Sequence, residues 1–327
     1  MSLLVESKAY KPFRYPWAYD YWQKQQQVHW LGEEVPMGDD VKDWAVNLSA
    51  DEQSFLTDIS RFFTQADMDV SGGYIDLYLP KFKPVEIRMM LTSFANMETV
   101  HIAAYALLIE TLGLPDSEFT AFLKYKEMVD KHEYLSNFNM DTERDTLRTM
   151  AVYGAFTEGL QLFASFAMLL NFPRFGKMKG MGQIVTWSVR DESLHTEGVI
   201  RLFHEYARET GAYDKSLREE IKQIAAEVVN LEDAFVDLVF ADYKLQGITA
   251  FEIKEYVRFI CDWRLQQLGI TPLYGVKKHP LPWLKSILNG VEHGNFFETR
   301  PTEYSKGATT GTWAETWNKF DKRIDKG

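Results

Sequence analysis

The sequence predicts an all-α fold, a bundle of long helices. Apolar residues recur at helical spacing over runs of about 25 to 30 residues, and strand-like alternation is scarce. Pro and Gly fall between the runs rather than inside them. At 1.5 Å per residue each run is ~40 Å long, the dimension of a large bundle. With 327 residues, 46% of them hydrophobic, the chain can bury a large core. It has no internal repeat, low-complexity tract or long linker, which argues for one compact helical domain.

The first long helix opens at Ser49, where Ser-Ala-Asp-Glu reads as a capping box with Glu52 reaching back to the Ser49 backbone. Phe55, Ile59, Phe62, Phe63 and Ala66 carry it to about Tyr78. Pro84 opens the second helix, which runs through Met97 to Leu112 and is closed by Gly113 and Pro115. A third spans Thr142 to Leu170, stopping before Asn171, Phe172 and Pro173. After the Gly-rich KGMG a fourth runs from Gly182 to Thr210 and stops at Gly211. Two more follow, Ser216 to Leu245 and Phe251 to Leu268.

A formal charge of −11 without a dense Lys/Arg stripe argues against a nucleic-acid partner. The single cysteine, Cys261, lies in an apolar helical pattern and reads as a buried thiol in a reducing cytoplasm. The first residues lack the pattern of a secretory signal. The segment from Gly154 to Pro173 nears the length of a membrane span but carries Glu158 and Gln161, so it reads as a core helix and no membrane is expected. Glu158 then needs a partner inside the protein.

Each of the four long helices carries an acid among apolar neighbours: Asp67, Glu98, Glu158 and Glu192. Glu98 and Glu192 are each followed three residues later by a histidine, His101 and His195. Residues three apart on a helix share a face, so each pair can reach one point. Isolated carboxylates in an apolar bundle would cost many kcal/mol or be forced neutral, whereas two hard cations compensate four carboxylates and two imidazoles cap the metals. One E-x-x-H is weak evidence, but two of them plus two single acids match the pattern of dinuclear carboxylate bundles.

These residues resemble the small, radical-generating (beta, R2) subunit of class I ribonucleotide reductase, in the ferritin-like superfamily. The resemblance covers nearly the whole chain, from VHWLGEEVPMGDDVKDW to GVEHGNFFETRPTEY. It implies a ferritin-like bundle housing a dinuclear non-haem centre, di-iron or dimanganese with a mixed manganese–iron centre ranked behind both. It implies metal ligands Asp67, Glu98, His101, Glu158, Glu192 and His195, and a radical tyrosine one turn after the first histidine, at Tyr105. It also implies a redox tryptophan, Trp30, an aspartate, Asp191, that accepts from His101 and from the Trp30 indole, and a redox tyrosine near the C-terminus, Tyr304. Leu162 and Ser188 stand where many members carry Phe and an apolar residue, while Phe166 keeps the pattern.

The mechanism that the resemblance implies has two stages. Oxygen, or a reduced form of it, oxidises the metal centre, which stores a one-electron hole on Tyr105 or on the metals. The hole then passes through Trp30 and Tyr304 to the large (alpha) subunit for deoxyribonucleotide synthesis. The implied organisation is an N-terminal extension over 1–48, the bundle over 49–298 and a flexible tail over 299–327. The tail, with Trp313, Trp317 and Phe320, would dock the large subunit. A homodimer is implied, with a flavoprotein activase as a further candidate partner.

One rival is a carboxylate-bridged dimetal oxidase or monooxygenase of the same superfamily; it would need neither Trp30 nor a tail tyrosine, so Tyr304→Phe abolishing nucleotide reduction separates the two. Another is an iron-storage shell, which a mass measurement in solution would reveal. A purely structural bundle would bind no metal tightly.

Overall fold

The computed structural model describes residues 2–287, and every regular element among them is a helix. In chain order the α-helices include α1 (Pro16–Gln27), α2 (Gly38–Lys42), α3 (Ala50–Gly72), α4 (Leu79–Lys81), α5 (Val85–Thr111), α6 (Lys126–Leu135), α7 (Glu143–Met150), α8 (Leu162–Arg174), α9 (Lys179–Thr210), α10 (Lys215–Phe240) and α11 (Ala250–Gln267). Two of the expected long helices are interrupted by wider π turns. One, Gly73–Tyr78, joins α3 to α4, and the other, Ala151–Gln161, joins α7 to α8.

The helix ends follow from local chemistry. Ser49 caps α3, accepting from the Glu52 N–H at 3.2 Å while the Glu52 carboxylate accepts from the Ser49 N–H at 2.9 Å. The start of α9 is held from a distance. The buried Asp40 accepts from the N–H groups of Gly180 and Met181, both at 2.8 Å, and Asp43 accepts from Met178 at 2.8 Å. Carboxylates at a helix N-terminus satisfy orphan donors and complement the dipole. That anchor sets Met178 in the left-handed region, φ 52°. It also lets the helix begin at Lys179, earlier than the expected Gly182.

The expected stop before Asn171 is corrected: α8 continues to Arg174 with Pro173 inside it. Gly182 makes room for this, since a Cβ there would lie 2.4 Å from the Pro173 ring. α10 ends at Phe240, short of the expected Leu245.

α5 packs along α3 on one side and α1 on another, while α9 packs on α5, on α8 and on the Ala151–Gln161 turn. The core runs between them, and α8 is buried on every face from Leu162 to Phe172. Cys261 is buried in α11, where burial pushes its thiol up to about 12. No single helix among the described residues is long and apolar enough to cross a membrane.

Candidate metal centre

The four elements of this core each bring carboxylates to one place. Asp67 comes from α3, Glu98 and His101 from α5, Glu158 from the π turn, and Glu192 and His195 from α9. None of the six is more than 2% exposed.

The imidazoles lie between two shared acids. Glu98 places Oε1 2.8 Å from Nδ1 of His195 and Oε2 3.4 Å from Nδ1 of His101. Glu192 places Oε1 3.1 Å from Nδ1 of His101 and Oε2 3.5 Å from Nδ1 of His195. Asp67 stands at the His101 end and Glu158 at the His195 end. Two donor groups result, Asp67/Glu98/His101 and Glu98/Glu158/Glu192/His195, with the donor atoms of each within 4.8 Å of one another. Glu98 belongs to both, as a carboxylate bridging two ions would.

The electrostatics ask for cations. Burial, reinforced by neighbouring Glu98 and Glu192, raises the Asp67 carboxyl well above the carboxylate range. Burial and the Glu192 charge do the same to Glu158. Burial would raise Glu98 too, but hydrogen bonds from His101 and His195 hold it below its ordinary value. Burial opposes charge on the imidazoles, yet the carboxylates win: His101, bonded to Asp191, Glu192 and Glu98, is raised well above its ordinary value, and His195 reaches about 10. Asp67 Oδ2 and Glu158 Oε2 make no close hydrogen bond, although the Tyr74 phenol approaches the Glu158 carboxylate. Four buried carboxylates facing two imidazoles leave negative charge that two divalent ions would neutralise, so the donor set fits a dinuclear centre.

Behind the donors lies a hydrogen-bonded network. The Trp30 indole donates to Asp191 Oδ2 at 2.7 Å, and Nε2 of His101 lies 3.3 Å from the same oxygen. Gln25 donates to Asp191 Oδ1 at 3.4 Å, and its carbonyl lies 3.1 Å from Nε2 of His195. Such partners orient a metal-binding ring and set its tautomer. The Trp30 ring sits 5.9 Å from His101 and 5.1 Å from Trp187, centroid to centroid.

Tyr105 sits one turn beyond His101, 5% exposed. Its ring stacks on Phe63 at 4.7 Å, and Phe63 in turn stacks on Phe166 at 5.4 Å. Its hydroxyl donates to Ser188 Oγ at 3.2 Å, and the Ser188 hydroxyl in turn donates to the Ile184 carbonyl at 3.1 Å. Burial and the nearby Asp67 charge drive the phenol pKa far above its ordinary value.

The structure thus brings together nine of the ten site residues expected from sequence; the tenth, Tyr304, lies outside the described residues. Two residues of the site escape the sequence reading. Gln25 hides in the polar run Gln25-Gln26-Gln27, but it lies seven and eight residues after the buried Ala18 and Trp17, one helical face. Tyr74, 1% exposed, presents an edge to His195 at 6.1 Å from the first π turn.

Comparison with known proteins points the same way. The family described as "Ribonucleotide reductase, small chain" matches residues 7–280. A probable ribonucleoside-diphosphate reductase small subunit of Invertebrate iridescent virus 6 is 44% identical over 98% of this chain and 99% of its own. The reductase subunit beta of Chlamydia pneumoniae is 28% identical over 90% of this chain and 88% of its own. Among solved structures, the R2 subunit from Clostridium botulinum superposes with TM-score 0.80 at 20% identity, covering 86% of this chain and 91% of its own. The dimanganese(II) NrdF of Streptococcus sanguinis superposes with TM-score 0.75 at 17% identity, covering 87% and 99%. These two likenesses carry the ferritin-like R2 fold, while the sequence matches, spanning nearly the full length, carry the descent. With its buried carboxylate–histidine cluster already in place, the chain belongs to the ribonucleotide reductase small-chain family.

Proposed function

We propose that this small subunit of a ribonucleoside-diphosphate reductase holds a pair of iron or manganese ions on Asp67, Glu98, His101, Glu158, Glu192 and His195, and keeps its one-electron oxidising equivalent on Tyr105. The observation that carries the reading is Glu98, which belongs to both donor groups. Carboxylate and imidazole donors suit iron and manganese alike. When bound, the ion pair supplies the one-electron oxidation that no side chain here performs alone.

The chain's own residues prepare the rest. Phe63, stacked on the Tyr105 ring and backed by Phe166, helps keep water from it. Ser188 accepts a hydrogen bond from the phenol, which holds the hydroxyl in place and tunes its potential. Asp191 joins the His101 imidazole to the Trp30 indole, a continuous hydrogen-bonded line along which an electron can travel while its proton stays held at the carboxylate.

Members of this family work with a large subunit and as homodimers. In our reading residues 1–48 form an extension packed on the bundle, which suits α1 lying along α5. In the same reading 49–298 is the bundle and 299–327, with Tyr304, is the segment that meets the large subunit and completes the path; residues 288–327 lie outside the described residues. A flavoprotein activase is a further partner in this reading, and a reducing cytoplasm suits the unpaired Cys261.

The test is metal content with low-temperature EPR on protein loaded with iron or manganese and then oxidised. We expect about two ions per chain and a sharp radical signal that Tyr105→Phe abolishes. A broad metal-coupled signal surviving Tyr105→Phe would move the stored equivalent to the metals, and absence of bound metal would end the reading.

A further inference from the structure

The guanidinium of Arg264, on α11, is 2% exposed, and no carboxylate stands within ion-pair distance of it among the described residues. It lies over the rings of Trp263 at 4.2 Å and Phe163 at 5.2 Å, and it donates to the Gln267 side chain at 2.8 Å. Burial pulls its pKa down to about 10. The Glu197 charge acts on it from beyond ion-pair distance, and a buried cation without a close counter-ion is costly, so its one long-range bond calls for a reason. That bond runs from Nε to the Gly159 carbonyl at 2.7 Å.

Gly159 follows Glu158, inside the π turn. The wide spacing persists to the end of that turn, where the Leu162 N–H bonds the Thr157 carbonyl, and α spacing resumes in α8. A carbonyl oxygen has two lone pairs, so at this change of spacing the Gly159 carbonyl can hold the guanidinium bond whatever N–H the helix offers it. Gly159 is shaped for this approach: a Cβ there would lie 2.7 Å from Arg264 Nε and 3.0 Å from Thr196, the neighbour of His195. A register slip of one residue turns a side chain by about 100° around a helix axis. That would swing Glu158 away from Glu192 and His195, and leave Asp67, Glu98 and His101, on α3 and α5, where they are.

We propose that Arg264 is a positioning residue of the dinuclear site: by holding the Gly159 carbonyl it fixes the π register that aims Glu158 at the ion position shared with His195. The inference rests on the metal-binding reading above.

The experiment is a Mn(II) titration of the full-length metal-free protein, followed by EPR, beside thermal unfolding of the same protein without metal. Arg264→Met keeps the packing and removes an unpaired buried charge, so metal-free unfolding should stay at or above the parent temperature. The first ion should bind within about threefold of the parent, the second about 10- to 100-fold more weakly, and Arg264→Lys should recover most of that loss. The spectrum of a lone ion should then replace that of a coupled pair at ratios where the parent shows the pair. Gly159→Ala, which keeps the charge and displaces it from the carbonyl, should give the same selective loss, and decides the matter should Arg264→Met fail to fold. Two ions binding as in the parent would overturn the proposal. So would equal weakening of both ions alongside a lower unfolding temperature, the mark of a merely structural role. A parent that binds fewer than two ions would show, before any variant is made, that the metal-binding reading itself fails and this proposal with it.

Discussion

Ser188 supplies the hydrogen-bond partner of the Tyr105 phenol. Its hydroxyl donates to the Ile184 carbonyl, so the lone pair facing Tyr105 is free to accept. Ser188→Ala removes that acceptor and leaves a buried phenol unsatisfied, a cost of about 1–2 kcal/mol. Because the phenol then loses the hydrogen bond that tunes its potential, the radical yield should fall and the EPR hyperfine pattern change while metal content holds. An unchanged spectrum would place the stored equivalent elsewhere than Tyr105. The acids and histidines of the candidate site were legible in the sequence because ionisable residues stand out on apolar faces, whereas Ser188 was marked only by the resemblance, in which many members carry an apolar residue there. Gln25 was not legible, because an amide among amides gives no contrast; only its helical phase relative to Trp17 and Ala18 marks it.

At the scale of elements, the long helices were readable and their π turns were not. From Ala151 to Phe172 every residue is buried, so the apolar pattern has no phase from which to tell a spacing of 3.6 residues per turn from a wider one. The extension of α8 through Pro173 and the early start of α9 were hidden for another reason: both depend on contacts from distant parts of the chain. Asp40 is the clearest of these. Its carboxylate takes two N–H groups at the start of α9, the helix that carries Ser188, Asp191, Glu192 and His195. Asp40→Ala should therefore cost about 2 kcal/mol in chemical unfolding, through two buried donors left unpaired. It should also weaken metal uptake, since the helix that frays bears two of the donors. Unfolding at the parental denaturant midpoint would show that the cap is dispensable.

For the whole molecule, the metal centre ties stability to pH in opposite senses with and without its ions. In the metal-free fold His101 and His195 are held above the ordinary imidazole value, His195 to about 10. Stability from a raised imidazole is fully present below the unfolded value of about 6.5 and is lost as pH rises through the folded one. Asp67 and Glu158 are also raised, so the folded state binds their protons more tightly than the unfolded chain does, and stability falls further as pH rises past the ordinary carboxylate range. All four groups therefore weaken the metal-free protein toward alkaline pH. Ion binding requires neutral imidazoles and ionised carboxylates, so it releases protons and tightens as pH rises. The gap in unfolding temperature between metal-loaded and metal-free protein should then widen steadily from about pH 6 to about pH 9, and calorimetry in buffers of different ionisation enthalpy should record net proton release near neutrality. A gap that stays constant over that window would mean the two imidazoles are already neutral in the metal-free protein. Glu98 and Glu192, the two acids that face both rings, would then be balanced there by something other than His101 and His195.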